Sequence, residues 1–260
     1  MPIRVALTPM ESNETANAAG RRDCTIVVTR PERSADRFAA LLSAQGSGRF
    51  DILVSALLTI VPVMHDVDLS DFAAIVLTSE NAVRSIAPDG VSQRMPAFCV
   101  GEATAAAAAE AGFIPTVAEN SSDSLVSLAL REHSGGKLLH LRGRHAAGDV
   151  AGRLNDARLP VEEIIVYDQV KTRLSSAARQ ALTSGRCVFP VFSPRTAGIL
   201  TGEAAFAHDL GHAVCCMSVK VAEAFRLNWR CIVASAPTLP AMLAGTLELA
   251  AEPATGRDSG

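Results

Sequence analysis

Two short stretches carry the residue types best spaced for chemistry. Ile75-Val-Leu-Thr-Ser-Glu-Asn-Ala-Val-Arg-Ser85 runs from an apolar, β-branched segment into Thr78-Ser79 and then into helical spacing. Val188-Phe-Pro-Val-Phe-Ser-Pro-Arg-Thr-Ala-Gly-Ile-Leu200 repeats the pattern around Ser193. A serine between a strand and a helix caps the helix and leaves backbone N–H groups pointing outward, which makes an anion cradle. Pro194 suits the first helical position, where a missing N–H costs nothing, and Glu80 suits the positive end of the helix dipole. Gly101 to Thr104 and Ser218 to Lys220 offer further helix starts, and Arg30, Arg142, Arg144 and Arg195 can add formal charge. The chemistry this points to is capture of carboxylates. Each helix end contributes roughly 0.3–1 kcal/mol, and each charge-assisted hydrogen bond about 1.5–3 kcal/mol. For any one serine the competing reading is a plain cap, and for any one arginine a solvated surface charge.

The elements that position these residues alternate. Cys24 to Thr29 reads as a buried strand, followed by a helix after Ser34 that carries Ala35, Phe38, Leu41 and Leu42 and closes at Gly46. Ile52 to Val63 reads as one or two strands with no helix before the next strand, which suits a bridge between domains. From Ala73 onward strands alternate with helices, and the strand Val161 to Tyr167 ends on the only tyrosine of the chain. A helix from Ser175 to Ser184, ended by Gly185, follows, and the last third repeats the middle. Strands alternating with helices imply parallel sheets covered on both faces, with ligands at the carboxyl ends of the strands.

The bulk properties narrow the function classes. A chain of 260 residues suffices for one large domain or two of ordinary size, and 48% hydrophobic with 20% charged residues is globular composition. A net charge of −3 argues against a nucleic-acid or anionic-membrane surface. The six cysteines sit mostly in strand-like apolar runs, with no Cys-x-x-Cys and no histidines at metal spacing, so they read as reduced core thiols and no metal is expected. The start of the chain does not read as a signal peptide, and Ile52 to Met64 is too short and interrupted to span a bilayer. A cytoplasmic location is the expectation, with residues 1–21 and 253–260 as disordered tails.

The chain also repeats itself. Ser79 recurs at Ser193, Ala105 at Ala222, Val117 at Val233 and Arg30 at Arg142, with offsets of 112 to 117 positions in the same order. Such near-constant offsets indicate two similar α/β domains from a duplication. Serine-histidine-acid spacing, a phosphate loop and Gly-x-Gly-x-x-Gly are all missing, and a nucleotide-dependent transferase is correspondingly disfavoured.

Several motifs in this order resemble the uroporphyrinogen-III synthase family: Val-Val-Thr-Arg-Pro, Leu-Thr-Ser-Glu-Asn-Ala-Val, Val-Gly-Glu-Ala-Thr-Ala, Leu-Leu-His-Leu-Arg-Gly, Val-Glu-Glu-Ile-Ile-Val-Tyr, Phe-Ser-Pro-Arg-Thr and Ala-Ser-Ala-Pro-Thr-Leu-Pro-Ala-Met. The resemblance runs from about Cys24 to Leu249. It implies two parallel-sheet α/β domains joined by a two-stranded linker with the ligand cleft between them, residues 22–53 and 171–252 forming one domain and 57–167 the other. It implies a monomeric, cofactor-free lyase of haem biosynthesis. Its substrate, hydroxymethylbilane, is a flexible linear tetrapyrrole bearing acetate and propionate groups; transient contact with the preceding pathway enzyme is allowed. Tyr167 is the implied catalytic donor to the departing hydroxyl. Arg30, Thr78, Ser79, Gly101, Thr104, Arg142, Ser193, Pro194, Arg195 and Ser218 are the substrate-binding candidates. The chain departs from the family pattern at Val221, where a threonine is expected, and at Ala56, where proline is common. A non-catalytic two-domain hinge binder for an acidic metabolite is the alternative.

Overall fold

A computed structural model describes residues 24–86, 94–119, 121–146, 148–205, 207–208 and 210–253. Almost all of the two expected tails therefore lies outside the described residues. In chain order the elements are β1 (Cys24–Val28), α1 (Glu32–Gly46), β2 (Asp51–Val54), β3 (Leu58–Pro62), β4 (Ala74–Leu77), α2 (Glu80–Ile86), β5 (Pro96–Val100), α3 (Gly101–Glu110), β6 (Ile114–Ala118), α4 (Ser122–Glu132), β7 (Leu138–Gly143), α5 (Val150–Asp156), β8 (Val161–Lys171), α6 (Ser176–Ser184), β9 (Arg186–Val191), α7 (Pro194–Ala204), β10 (Ala213–Cys216), α8 (Val219–Ala224), β11 (Arg230–Val233) and α9 (Leu239–Ala251).

Two sheets organise these elements. The first has the order β11-β10-β9-β1-β2 and is parallel throughout; the second has the order β3-β8-β7-β4-β5-β6. Helices cover both faces of each sheet, because the strands are apolar on both sides. In β1, Val27 packs with Phe189, Leu182 and Leu200 on one face, while Ile26 and Val28 pack with Phe38, Leu42 and Met242 on the other. In the second sheet, Ile75 and Leu77 meet α2 and α3, and Ala74 and Val76 meet α4 and α5. Each such aliphatic side chain contributes roughly 1.5–3 kcal/mol by leaving water.

Serine and threonine caps set several helix starts. Ser121, Ser175 and Ser193 each accept a hydrogen bond from the backbone N–H three residues on, at 3.1, 3.2 and 3.1 Å. Helix α1 differs from expectation. It starts at Glu32 after Pro31, and Ser34 lies inside its first turn, donating to the Pro31 carbonyl. Leu41, expected in its core stripe, is 37% exposed. Its left-handed end is Ser47 followed by Gly48, both at positive φ.

The stretch between the sheets also differs in detail. Its two strands fall in different sheets, β2 beside β1 and β3 beside β8, and β3 runs antiparallel to β8 from Leu58 opposite Lys171 to Pro62 opposite Tyr167. Tyr167 therefore does not end its strand, because pairing with β3 extends β8 to Lys171. Further bonds fasten this crossing. Thr172 donates through its hydroxyl to the Ala56 carbonyl at 2.6 Å, and the Ser175 N–H donates to Ser55 Oγ at 2.9 Å.

All six cysteines lie in strands as free thiols, five buried and Cys231 exposed. Burial pushes the Cys99 and Cys187 thiols up to about 12, so they behave as small apolar side chains. Among the described residues no helix is long and apolar enough to cross a membrane, and no cluster of three potential metal ligands occurs.

Candidate active site at the two sheet reversals

Each sheet has one point at which the chain changes the direction in which it adds strands. In the first sheet β1 leads to β2 on one side, whereas β9 leads to β10 and β11 on the other, so the reversal lies between β1 and β9. In the second it lies between β4 and β7. Crevices beyond the carboxyl ends of strands at such reversals are where open parallel sheets bind ligands, since neighbouring loops there diverge to opposite faces. Arg30 follows β1, Ser193 follows β9, Thr78 and Ser79 follow β4, and Arg142 belongs to the end of β7. The sequence-level candidates thus occupy all four strand ends at the two reversals.

At the second reversal, Tyr167 and Ser79 meet. Between Arg142 and Gly143 the β7–β8 register slips by one residue, a β-bulge that sets Tyr167 opposite Gly143. As a result Val166 and Tyr167, though consecutive, are both buried on the α2–α3 side of the sheet. The tyrosine ring covers Gly143 so closely that a Cβ there would lie 2.5 Å from Cζ and 2.8 Å from the hydroxyl oxygen. Burial pushes the Tyr167 phenol above its ordinary range, and a side-chain hydrogen bond with Ser79 opposes the shift. The phenol therefore stays protonated, a hydrogen-bond donor, throughout the neutral range. Ser79 Oγ also accepts from the Asn81 N–H at 3.2 Å, as a cap for α2.

Arg142 is not a free charge. It lies within β7 rather than past its end, and its Nε is 3.1 Å from Glu163 Oε1. The same carboxylate oxygen is 2.8 Å from His140 Nδ1, on the next residue of that strand face. Burial holds the His140 pKa below its usual value; Glu163 raises it and Arg142 lowers it. With the imidazole neutral, Arg142 is the only countercharge to Glu163 in this trio. A substrate carboxylate here would share Arg142 with Glu163. The sequence hides this trio because His140, Arg142 and Glu163 come together only through the strand register. Arg144 is also paired, its Nε 2.9 Å from Asp168 Oδ2.

At the first reversal, the Arg30 guanidinium lies 4.1 Å from the centroid of the Phe192 ring. Burial first, then the neighbouring Arg37, lowers its pKa to about 10, with Glu80 pulling upward; the group remains charged at neutral pH. Ser193 caps α7 and Pro194 occupies its first turn. Arg195 reaches across from this helix to donate to the Gln169 carbonyl of β8 at 2.8 Å. A second crossing, unread from sequence, joins α1 to α2: Arg37 forms a two-pronged ion pair with Glu80, including one bond of 3.0 Å. Only sheet topology brings these positions, 43 residues apart, together.

The remaining candidates stand apart. Gly101 opens α3 at φ +71°, with no side-chain cap on that helix, and Thr104 is buried. Ser218 precedes α8 without making a cap bond. No hydrogen bond or ion pair among the described residues joins these three to Tyr167 or to the arginines. Val221, the departure noted in the repeat, is buried against the α6–α7–α8 core, so no hydroxyl is offered from that position.

Of the cavities, one of about 690 Å³ opens near Cys24 and Arg186, at the amino ends of β1 and β9. Another, of about 490 Å³, lies between the start of α1, α2 and the linker, and none of the sequence-level candidates lines it.

Comparison with known proteins follows the same outline. Residues 36–244 match the family model for uroporphyrinogen-III synthase HemD, most of the chain, with every strand of the second sheet and every strand of the first except β1. The fold is similar to the crystal structure of uroporphyrinogen-III synthetase from Helicobacter pylori 26695, with a TM-score of 0.60 at 18% identity, covering 86% of this chain and 99% of that one. A mutant uroporphyrinogen III synthase from the extremely thermophilic bacterium Thermus thermophilus aligns with a TM-score of 0.46 at 16% identity, over 86% of this chain and 98% of that one. No curated protein sequence matches the chain. With the family model covering most of the chain, the chain belongs to the uroporphyrinogen-III synthase family.

Proposed function

We propose that this chain closes hydroxymethylbilane to uroporphyrinogen III with inversion of ring D, as a cofactor-independent lyase of haem biosynthesis. The family match across residues 36–244 carries this reading, and the paired strand reversals supply a place for the reaction. Part of the proposal is that the first sheet belongs to a discontinuous domain of residues 22–53 and 171–252, and the second to an inserted domain of residues 57–167. Sheet membership supports this division. A hinge binder without turnover is disfavoured by the family match.

In the proposed reaction the C–O bond of the terminal hydroxymethyl group breaks, the oxygen leaves with a proton as water, and a cationic azafulvene remains. The ring D carbon that already carries the bridging methylene attacks the azafulvene to give a spiro intermediate. The bond from that carbon to its original bridge then breaks, and the bridge carbon re-bonds to the free α carbon of ring D. That α carbon loses its proton, which balances the charge. Tyr167 is the proposed donor to the departing oxygen, since burial keeps its phenol protonated beside the second reversal. The polyanionic substrate is proposed to be held by Arg30 and by the helix starts at Thr78-Ser79, Gly101-Thr104, Ser193-Pro194-Arg195 and Ser218. Because the activated bilane can close unaided, the chain chiefly selects which carbon is attacked. A hundredfold preference requires a barrier difference of only about 2.7 kcal/mol.

Arg142→Ala separates a binding role from a purely structural pairing with Glu163. The expected result is a KM raised about three- to tenfold with kcat nearly unchanged, as follows when uniform carboxylate binding is lost. It is also expected to raise the His140 pKa in an NMR titration, because the neighbouring positive charge is gone. Steady-state kinetics at fixed ionic strength read the first effect; an unchanged KM would return Arg142 to the support of Glu163 alone. The function itself is tested by giving the purified chain freshly generated hydroxymethylbilane and separating the product isomers.

A further inference from the structure

The cavity of about 490 Å³ beside the linker has a distinct chemical character. Three arginines from three separate elements line it: Arg33 in the first turn of α1, Arg84 in α2 and Arg173 just past β8. Glu32 is its only acidic lining residue, so the walls carry excess positive charge in a chain whose net charge is −3. Arg33 and Arg173 make no ion pair or hydrogen bond among the described residues. Arg84 is held only loosely, 3.8 Å from Glu80 and 3.5 Å from Glu110, and its buried Nε has no hydrogen-bond partner. The opposite wall is the apolar linker, with Leu58 and Ile60 prominent. Two unpaired cations with a third only loosely paired on one side, and an apolar wall on the other, fit a flat, apolar body carrying more than one anionic group. A compact inorganic anion would leave the apolar wall wet and could not reach three cations on separate elements.

We propose that this cavity is a carboxylate-binding subsite that seats one pyrrole ring of the tetrapyrrole, with Arg33, Arg84 and Arg173 taking its acetate and propionate groups. The proposal rests on the synthase reading for the identity of the ligand, and it adds specificity-determining residues outside the two strand reversals. The cavity is next to the reaction centre in the chain's own geometry. Pro62, one of its lining residues, pairs with Tyr167, and Asn81, another, donates its N–H to Ser79. A ring seated there would lie beside the strand and helix start that also carry Tyr167 and Ser79, and its anchoring would fix which end of the bilane reaches Tyr167.

The double variant Arg33→Ala/Arg173→Ala tests this, because both side chains are exposed and unpaired and the fold does not depend on them. Binding of uroporphyrin, the aromatic oxidation product that keeps all the carboxylates, is followed by fluorescence titration; KM and kcat for hydroxymethylbilane are measured beside it. The expected result is about tenfold weaker uroporphyrin binding and a similar rise in KM, at an unchanged melting temperature. Inorganic phosphate at matched ionic strength is expected not to compete. Wild-type affinity and KM in the double variant would overturn the proposal, as would equal competition by phosphate. If the chain binds uroporphyrin through these arginines but turns over no bilane, the synthase reading fails while the subsite stands.

Discussion

Tyr167→Phe lowers kcat by about ten- to a hundredfold while the melting temperature stays near that of the parent chain. Positioned proton donors typically contribute 10²- to 10⁴-fold, and a loss at or below the bottom of that range is expected here because the bilane can lose its hydroxyl without help. Phenylalanine fills the same space above Gly143, so the packing on the α2–α3 side is kept. What is lost is the one phenol of the chain and its bond with Ser79. A lost hydrogen bond of this kind costs about 1 kcal/mol in stability, too little to unfold either sheet. Since burial raises the phenol pKa, the parent enzyme is expected to show no loss of activity from tyrosine ionisation on moving from neutral to mildly alkaline pH. Saturating-substrate kinetics check the first effect. An unchanged kcat would make Tyr167 a packing residue.

Gly143→Ala produces the second large effect, from the opposite direction. The added methyl would lie 2.5 Å from Tyr167 Cζ, 2.6 Å from Cε2 and 2.8 Å from the hydroxyl oxygen, separations that no real Cβ sustains. The ring has nowhere easy to go, being buried and fixed by the bulge in the β7–β8 register. Overpacking of this kind costs about 1–3 kcal/mol, and for a chain of this length unfolding as one unit each kcal/mol lowers the melting temperature by roughly 2–4 °C. Displacing the phenol is expected to lower kcat at least as far as Tyr167→Phe does. In the double variant the two losses in kcat should fall well short of adding, since both act through one hydroxyl. Calorimetry with the same kinetic assay checks this; parent-like stability and turnover would show that the ring's position is immaterial.

Much of this fold can be read from local chemistry. The alternation of β-branched runs with helically spaced segments marks the elements, and Ser193 makes the cap bond that its position suggests. The repeat of Ser79 at Ser193 corresponds to equivalent places, each at the strand end beside a sheet reversal. The features that escape are those set by pairing between distant strands. One extra residue on β8, opposite Arg142/Gly143, puts Val166 and Tyr167 on one side of the sheet, against the two-residue period that a strand normally imposes. The antiparallel edge made by β3 carries β8 past Tyr167, where the apolar pattern alone suggests a strand end. Arg142 looks like an unspent charge in the chain, but the register puts Glu163 beside it. Arg37 and Glu80 read as ordinary helix-surface charges until the topology brings α1 and α2 together. Among the site candidates, serines at strand ends were legible because capping is local, whereas the arginines of the linker cavity were not, because three elements must assemble before their charges converge.

The central claim is that the chain dictates which carbon of ring D is attacked. The most direct test supplies hydroxymethylbilane at a concentration where closure is faster with the chain than without it, and resolves the oxidised products by chromatography. Type III uroporphyrin is predicted in excess of type I by about a hundredfold, a preference worth about 2.7 kcal/mol between competing barriers. A product that remains the symmetric type I isomer, as spontaneous closure gives, would contradict the claim.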